Sequence, residues 1–250
     1  MHNHGDDQLQ GHAGDQRNAW ATFTLHKALN SFLQAESSGS MDFKTLLDSA
    51  ASFHGHLCGG QALGVRMALA GLRELGMNDS SKRENLVTFV EVERCIADAI
   101  QIVTGCTVGR RNLKLVNVGK FAATFVDASN GRGVRVSSRK DARASAMKFA
   151  ERRGWIASGE AIEEFSHREK EMIIRAYSEM PESEMFTVEK VRVDVPKKEH
   201  HGEPKQPVVC SSCGELIFDQ MEIVKEKCVF CRSCASGAYY ENRPDHSYAW

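Results

Sequence analysis

The sequence predicts an α+β protein with a mostly antiparallel sheet, packed helices and a small cysteine-rich module at its C-terminal end. The first supporting observation is that predicted strands and helices follow one another in runs and do not alternate strictly, as in α+β domains. The second is a pair of Cys-x-x-Cys motifs within the last fifty residues. The third is the length of 250 residues, 42% of them hydrophobic, which allows one large domain plus such a module.

Two helices open the predicted domain. Asp42 is a good N-cap, and from Phe43 onwards apolar residues recur at helical spacing. The glycine-rich segment 54–60 interrupts this pattern. A second helix, about 61–75, is apolar on most faces and stops at Gly76, so we expect it to be buried.

The remaining elements alternate less regularly. Segments rich in β-branched residues predict strands at Leu86–Val92, Leu113–Val118, Phe121–Val126, Val134–Ser137 and about 185–195. Helical patterns predict a short helix at Cys95–Val103 and two longer ones at about 139–153 and 158–178.

Composition sets the domain boundaries and excludes some functions. We expect a polar, disordered leader at 1–40, a domain at 41–195, a proline-rich linker at 196–207 and a zinc finger with its tail at 208–250. The net charge of -1 makes nucleic acid an unlikely general partner. No segment is long and apolar enough for a membrane span, and the polar N-terminus is not a secretory signal. The predicted location is therefore the cytoplasm, where thiols stay reduced.

The C-terminal cysteines predict a structural zinc ion. Cys210-x-x-Cys213 and Cys231-x-x-Cys234 are separated by seventeen residues, and four thiolates with this spacing form a tetrahedral zinc site. Cys228 also has knuckle spacing to Cys231, but we favour Cys231 and Cys234 as the second pair. The module has few apolar residues, so the metal must supply much of its folding energy.

A second group of metal-binding residue types lies in the first domain. His54, His56 and Cys58 surround a glycine-rich break just before the long helix. A helix N-terminus favours the thiolate form of a cysteine. A mixed nitrogen and sulfur set with fewer than four protein ligands leaves a coordination position open, so these residues predict a second metal or ligand site. The histidines could alternatively accept the proton of the thiol.

We expect further residues to complete this pocket. Cys95 begins the next short helix, and Asp98 lies one turn further on the same face. Cys106 follows that helix, although a buried cysteine is also a common small core residue. Lys120, in a glycine turn, could supply a cation for an anionic ligand.

Three motifs carry a family resemblance. The segments FHGHLCGGQALG (53–64), ExxxCxxDAIQxxTGCTxG (91–109) and NVGKFA (117–122) resemble the FmdE family, named for the FmdE subunit of formylmethanofuran dehydrogenase. The C-terminal cysteine module resembles the treble-clef zinc finger that many members carry. The resemblance implies an α+β core, a homodimer, and a metal or ligand site at the His-x-Cys and Cys…Gly-Cys motifs. Where the family usually has Cys-Pro-Gly, this chain has Cys58-Gly59-Gly60, and Arg94 replaces a frequent acidic residue.

The resemblance implies a metal-binding accessory protein of molybdenum- or tungsten-dependent one-carbon metabolism, which binds a cofactor or a component of the dehydrogenase complex. The first alternative is a stand-alone enzyme that uses the metal or an activated thiolate. The second is a zinc-finger regulator, favoured by six basic and two acidic residues at 139–153. The sequence contains neither a ferredoxin-type cysteine run nor a dinucleotide-binding fingerprint.

Overall fold

The structure, a computed structural model, describes residues 42–164, 166–196 and 206–240. The chain divides into two compact units, Met1–Val195 and Pro196–Trp250. The predicted leader at 1–40, most of the predicted linker at 196–207 and the last ten residues lie outside the described residues.

A five-stranded sheet forms the centre of the first unit, in the order β2-β1-β3-β4-β5. Within this sheet the β1–β2 pair is parallel, and the other three pairs are antiparallel. Together with the helices packed on it, this sheet confirms the predicted α+β class with a mostly antiparallel sheet. The strands are β1 (Leu86–Val90), β2 (Leu113–Leu115), β3 (Ala122–Asp127), β4 (Arg132–Ser138) and β5 (Phe186–Arg192).

Helices build the second layer of this unit. The α-helices are α1 (Phe43–His54), α2 (Gly59–Leu75), α3 (Cys95–Thr104), α4 (Ala142–Arg152), α5 (His167–Glu179) and the short α6 (Glu182–Met185). The Asp42 side chain accepts a hydrogen bond from the Thr45 backbone N–H, which confirms its role as N-cap of α1. Helix α2 is the central helix, since it packs against α3, α5, β3 and β4.

Helix α2 approaches the sheet closely because it carries a glycine at the contact. A Cβ added at Gly71 would lie only 2.1 Å from Cδ2 of Phe125, which is fully buried on β3. Gly76 then ends the helix in the left-handed conformation, as the sequence predicts.

Two predicted boundaries are wrong. The helix predicted from residue 158 begins at His167, where the Ser166 hydroxyl accepts a hydrogen bond from the backbone N–H of Glu169. The strand predicted through Val118 ends at Leu115, because the chain then turns and the backbone N–H groups of Val118 and Lys120 both donate to the carbonyl of Glu91.

The second unit consists of two small hairpins and a short helix. Strand β6 (Val208–Val209) pairs with β7 (Leu216–Ile217), β8 (Ile223–Lys225) pairs with β9 (Cys228–Phe230), and α7 (Arg232–Ser236) follows. Between residues 206 and 240, only Cys210 and Ile217 are buried. A core this small cannot hold the segment in one conformation without a further stabilising interaction.

Candidate metal sites

The four cysteines of the two Cys-x-x-Cys motifs converge in the second unit. The sulfurs of Cys210, Cys213, Cys231 and Cys234 all lie within 4.8 Å of one another. Cys210 directly follows β6, and Cys231 is the N-cap of α7, so the first hairpin and the helix each bring two thiols to the cluster. Cys228 is exposed on β9 and is not part of this group.

Backbone N–H groups stabilise the thiolate form of these cysteines. The N–H of Cys231 donates to the Cys210 sulfur at 3.3 Å, and the N–H of Cys234 donates to the Cys231 sulfur at 3.4 Å. Hydrogen bonds from the backbone N–H groups of Cys213 and Cys231 lower the pKa of Cys210 to about 6. Four clustered sulfurs of this kind fit a tetrahedral metal ion with metal–sulfur bonds of about 2.3 Å.

A second cluster forms where α1 ends and α2 begins. One ligand atom each from His54, His56 and Cys58 lies within 4.8 Å of the other two, and the histidine ring centroids are 4.7 Å apart. Gly55 makes this approach possible, because its φ of 93° turns the chain back immediately after His54. Cys58 is the N-cap of the seventeen-residue helix α2, where the helix dipole favours a thiolate.

Cys95 adjoins this second cluster across Gly60. A Cβ added at Gly60 would lie 3.5 Å from the Cys95 sulfur and 3.7 Å from the Cys58 sulfur, so both sulfurs flank the same glycine. Burial raises the pKa of the Cys95 thiol, and the neighbouring Cys58 thiol raises it further. The N-terminal ends of α2 and α3 therefore bring Cys58 and Cys95 together.

Asp98 contacts the cluster through His54. The Asp98 carboxylate lies one turn into α3, and its Oδ2 is 2.7 Å from Nδ1 of His54. A carboxylate can only accept at this contact, so Nδ1 carries the proton and Nε2 is left to face a metal or a proton donor. The structure thus places Asp98 behind His54, while His56 remains exposed.

Cys106 does not join this cluster, contrary to our expectation. It follows the C-terminal end of α3, whereas Cys95 begins that helix, and ten helical residues separate the two ends by about 15 Å. The Cys106 side chain is 1% exposed and packs beside Thr88, whose hydroxyl is 3.5 Å from its sulfur. The alternative interpretation as a small core residue is the one that fits this environment.

Lys120 lies with a different set of side chains. It lines a surface cavity together with Arg135 and other basic residues, and no residue of the His54–Cys58 cluster lines that cavity. Its nearest described acidic neighbour is Glu91, whose pKa is lowered mainly by Arg135 and to a smaller extent by Lys120. Lys120 therefore supplies its charge to this basic cavity.

Gln61 is a polar residue beside the cluster that sequence reasoning missed. It is fully buried, and its Nε2 donates to the backbone carbonyl of Cys95 at 2.8 Å. Its Oε1 has no hydrogen-bond partner among the described residues. A glutamine inside an otherwise apolar helix, three residues after a candidate ligand, is the sequence signal that could have identified it.

The basic segment 139–153 is largely neutralised. Four of its six basic side chains form ion pairs with acidic residues, namely Arg139 with Asp141, Arg143 with Glu169, Arg152 with Glu184 and Arg153 with Glu179. A nucleic acid would have to compete with these carboxylates. Among the described helices, none is long and apolar enough to cross a membrane.

Comparison with known proteins gives one family and two informative relatives. Residues 53–187 match the family described as FmdE, molybdenum formylmethanofuran dehydrogenase operon. A protein of Archaeoglobus fulgidus named probable S-adenosyl-L-methionine-binding protein is 34% identical over 206 residues, which are 78% of this chain and 53% of that protein. This chain therefore spans about half the length of that relative.

The fold also resembles a solved structure. The crystal structure of an FmdE-like protein of tungsten formylmethanofuran dehydrogenase from Syntrophus aciditrophicus superposes with a TM-score of 0.54 and 22% sequence identity. The match covers 80% of this chain and 95% of that one. At this identity the likeness supports the fold alone.

Proposed function

This chain belongs to the FmdE family, and from that premise we propose that it is a metal-binding accessory protein related to the FmdE component of formylmethanofuran dehydrogenase. It would serve molybdenum- or tungsten-dependent one-carbon metabolism by binding a cofactor or a partner protein of the dehydrogenase complex at the His54–Cys58 cluster. The name of the Archaeoglobus relative is not extended to this chain, because the chain spans only about half of that protein.

The observation that carries this proposal is the convergence of His54, His56 and Cys58 with Cys95 at the ends of three helices. Imidazole and thiolate donors suit zinc and similar ions. A metal bound there would supply a Lewis acid with room for a further ligand. In this proposal, Asp98 orients His54, and the exposed edge at His56 admits the ligand.

Metal analysis of the full chain tests the proposal. We expect Cys58→Ala and His56→Ala to lose the metal of this cluster and to keep the metal of the four-cysteine cluster. Cys228→Ala and His167→Ala are matched controls, since both residues are exposed and belong to neither group. A metal content of Cys58→Ala equal to that of the wild type would overturn the proposal.

We further propose that the four-cysteine cluster is a treble-clef finger that holds zinc. The knuckle after β6, the β8–β9 hairpin and α7 occur in the order of such a module, and the clustered sulfurs suit zinc. A chelator should remove metal from the His54–Cys58 cluster quickly and from this finger slowly, because the open cluster has fewer protein ligands. Equal release rates at the two clusters would contradict this assignment.

A homodimer is the proposed state of the first unit. Strands β2 and β5 are the two edges of the sheet, and apolar side chains at Leu115, Val116 and Val118 are exposed at the end of β2 and just beyond it. Light scattering at micromolar concentration should give twice the mass of the 27.8 kDa chain. A monomer mass would refute the dimer and leave the metal proposal untouched.

A thiolate-dependent enzyme is the second candidate function, and the His54–Asp98 contact favours it. Cys58 at a helix N-terminus, a histidine within reach and a carboxylate behind that histidine form the nucleophile, base and orienting group of covalent catalysis. In metal-free protein, iodoacetamide should modify Cys58 faster than Cys228, and Asp98→Asn should slow the reaction at Cys58. Equal rates at the two cysteines would exclude this candidate.

A further inference from the structure

A basic cavity lies at the edge of the sheet, away from both cysteine clusters. Its volume is about 490 Å³, which is within the usual range for a small-molecule site. The end of β4, the segment before α4 and the turn before β3 form its walls. The lining residues are Lys120, Phe121, Arg135, Ser137, Ser138, Arg139 and Lys140.

The positive charge of this cavity is only partly neutralised. Arg135 makes a bidentate contact with Glu91, at 2.7 and 2.9 Å, and a further contact with Glu189 at 3.1 Å, so its charge is compensated. Lys120 and Lys140, in contrast, have no ion-pair partner among the described residues. Two ammonium groups therefore share one cavity, and neither is held by a carboxylate.

Further donors accompany the two lysines. The Arg139 guanidinium has one acidic contact, from its Nε to Asp141 at 3.4 Å, so its terminal amino groups can still donate. Ser137 adds a hydroxyl at the end of β4. Helix α4 begins two residues after Lys140, and its N-cap Asp141 makes no capping hydrogen bond. The local field at this position favours an anion.

We propose that this cavity binds the phosphate group of a small molecule. A carboxylate has two oxygens, which one arginine fork satisfies, whereas a phosphate offers more acceptors to donors that come from several directions. The space exceeds what a free phosphate ion fills, and the half-exposed Phe121 ring gives the organic part an apolar wall. Since the cavity shares no residue with the His54–Cys58 cluster, this proposal does not depend on the proposed function.

A titration with matched lysine variants tests it. The probes are inorganic phosphate and adenosine monophosphate, and the readout is the backbone amide NMR signals of the full chain at low salt. Both probes should shift residues 120 and 137–140, with tighter binding of the ester. Removing a charged hydrogen-bonding partner should weaken binding at least about tenfold in Lys120→Ala and Lys140→Ala.

Lys148→Ala is the control, because Lys148 is exposed on α4, does not line the cavity and removes the same charge. Its affinity for both probes should equal that of the wild type. Since Lys120, Lys140 and Lys148 are all exposed, none of the variants should lose its fold. Absence of shifts at residues 137–140, or an equal loss of affinity in Lys148→Ala, would overturn the proposal.

Discussion

Substituting Gly60 by alanine tests whether Cys58 and Cys95 share one site. The added Cβ would lie 2.8 Å from the Cβ of Cys95, 3.5 Å from its sulfur and 3.7 Å from the sulfur of Cys58. The first distance is far below a normal carbon–carbon contact, so Cys95 or the start of α2 must shift. The substitution thus disturbs both thiols without removing either one.

The expected effect on stability is modest and the effect on metal binding is large. Overpacking of this kind costs about 1–3 kcal/mol, and the higher helix propensity of alanine offsets up to about 1 kcal/mol. The free energy of unfolding should therefore fall by roughly 1–2 kcal/mol. Displacing a ligand by a few tenths of an ångström should weaken metal binding at this cluster by at least about tenfold.

Urea unfolding and metal titration of the full chain measure the two effects separately. Gly109→Ala is the control, because a Cβ at Gly109 meets nothing within 4 Å and its φ is not positive. We expect this control to match the wild type in both assays. Unchanged metal affinity at the His54–Cys58 cluster in folded Gly60→Ala would refute the shared site.

Three other substitutions test the finger, the core and an ion pair. Cys213→Ser should unfold residues 208–236 and leave the first unit intact, which limited proteolysis would detect as cleavage confined to that module. Gly71→Ala should destabilise the first unit by about 3 kcal/mol in urea unfolding, since its Cβ would overlap the ring of Phe125. Glu91→Gln should cost about 1–2 kcal/mol at pH 7, because it breaks the bidentate contact with Arg135. Arg135 lowers the pKa of Glu91 below its usual 4.5, so this stabilisation is complete above pH 4.5 and the difference between variant and wild type should shrink as the pH falls further.

Elements with a complete local signal were predictable from the sequence. The N-cap at Asp42, the buried helix that ends at Gly76 and the α3 helix that begins at Cys95 follow from capping, glycine and apolar periodicity, which act between residues a few positions apart. The two Cys-x-x-Cys pairs belong to the same class, because their spacing already confines each pair of sulfurs to one short loop.

Boundaries without such a signal were less predictable. The segment before α5 has helical periodicity, yet the helix begins only at His167, because the Ser166 cap competes successfully with the preceding residues. The end of β2 depends on a turn whose N–H groups bond to Glu91, a residue more than twenty positions earlier. No window of local sequence contains both partners of that contact.

The membership of the first-domain cluster was decided by tertiary structure. Sequence placed Cys95 and Cys106 alike at the two ends of one helix, but a helix is rigid, so only the end that packs against α2 can reach Cys58. The pairing of His54 with Asp98 and the burial of Gln61 beside Cys95 arise in the same way, from the packing of α1, α2 and α3. The sequence by itself determined which residue types were present and which helices would carry them. Only the packing of those helices decided which side chains meet, because contacts across 34 to 44 positions depend on how apolar faces fit together and leave no periodic trace in the chain.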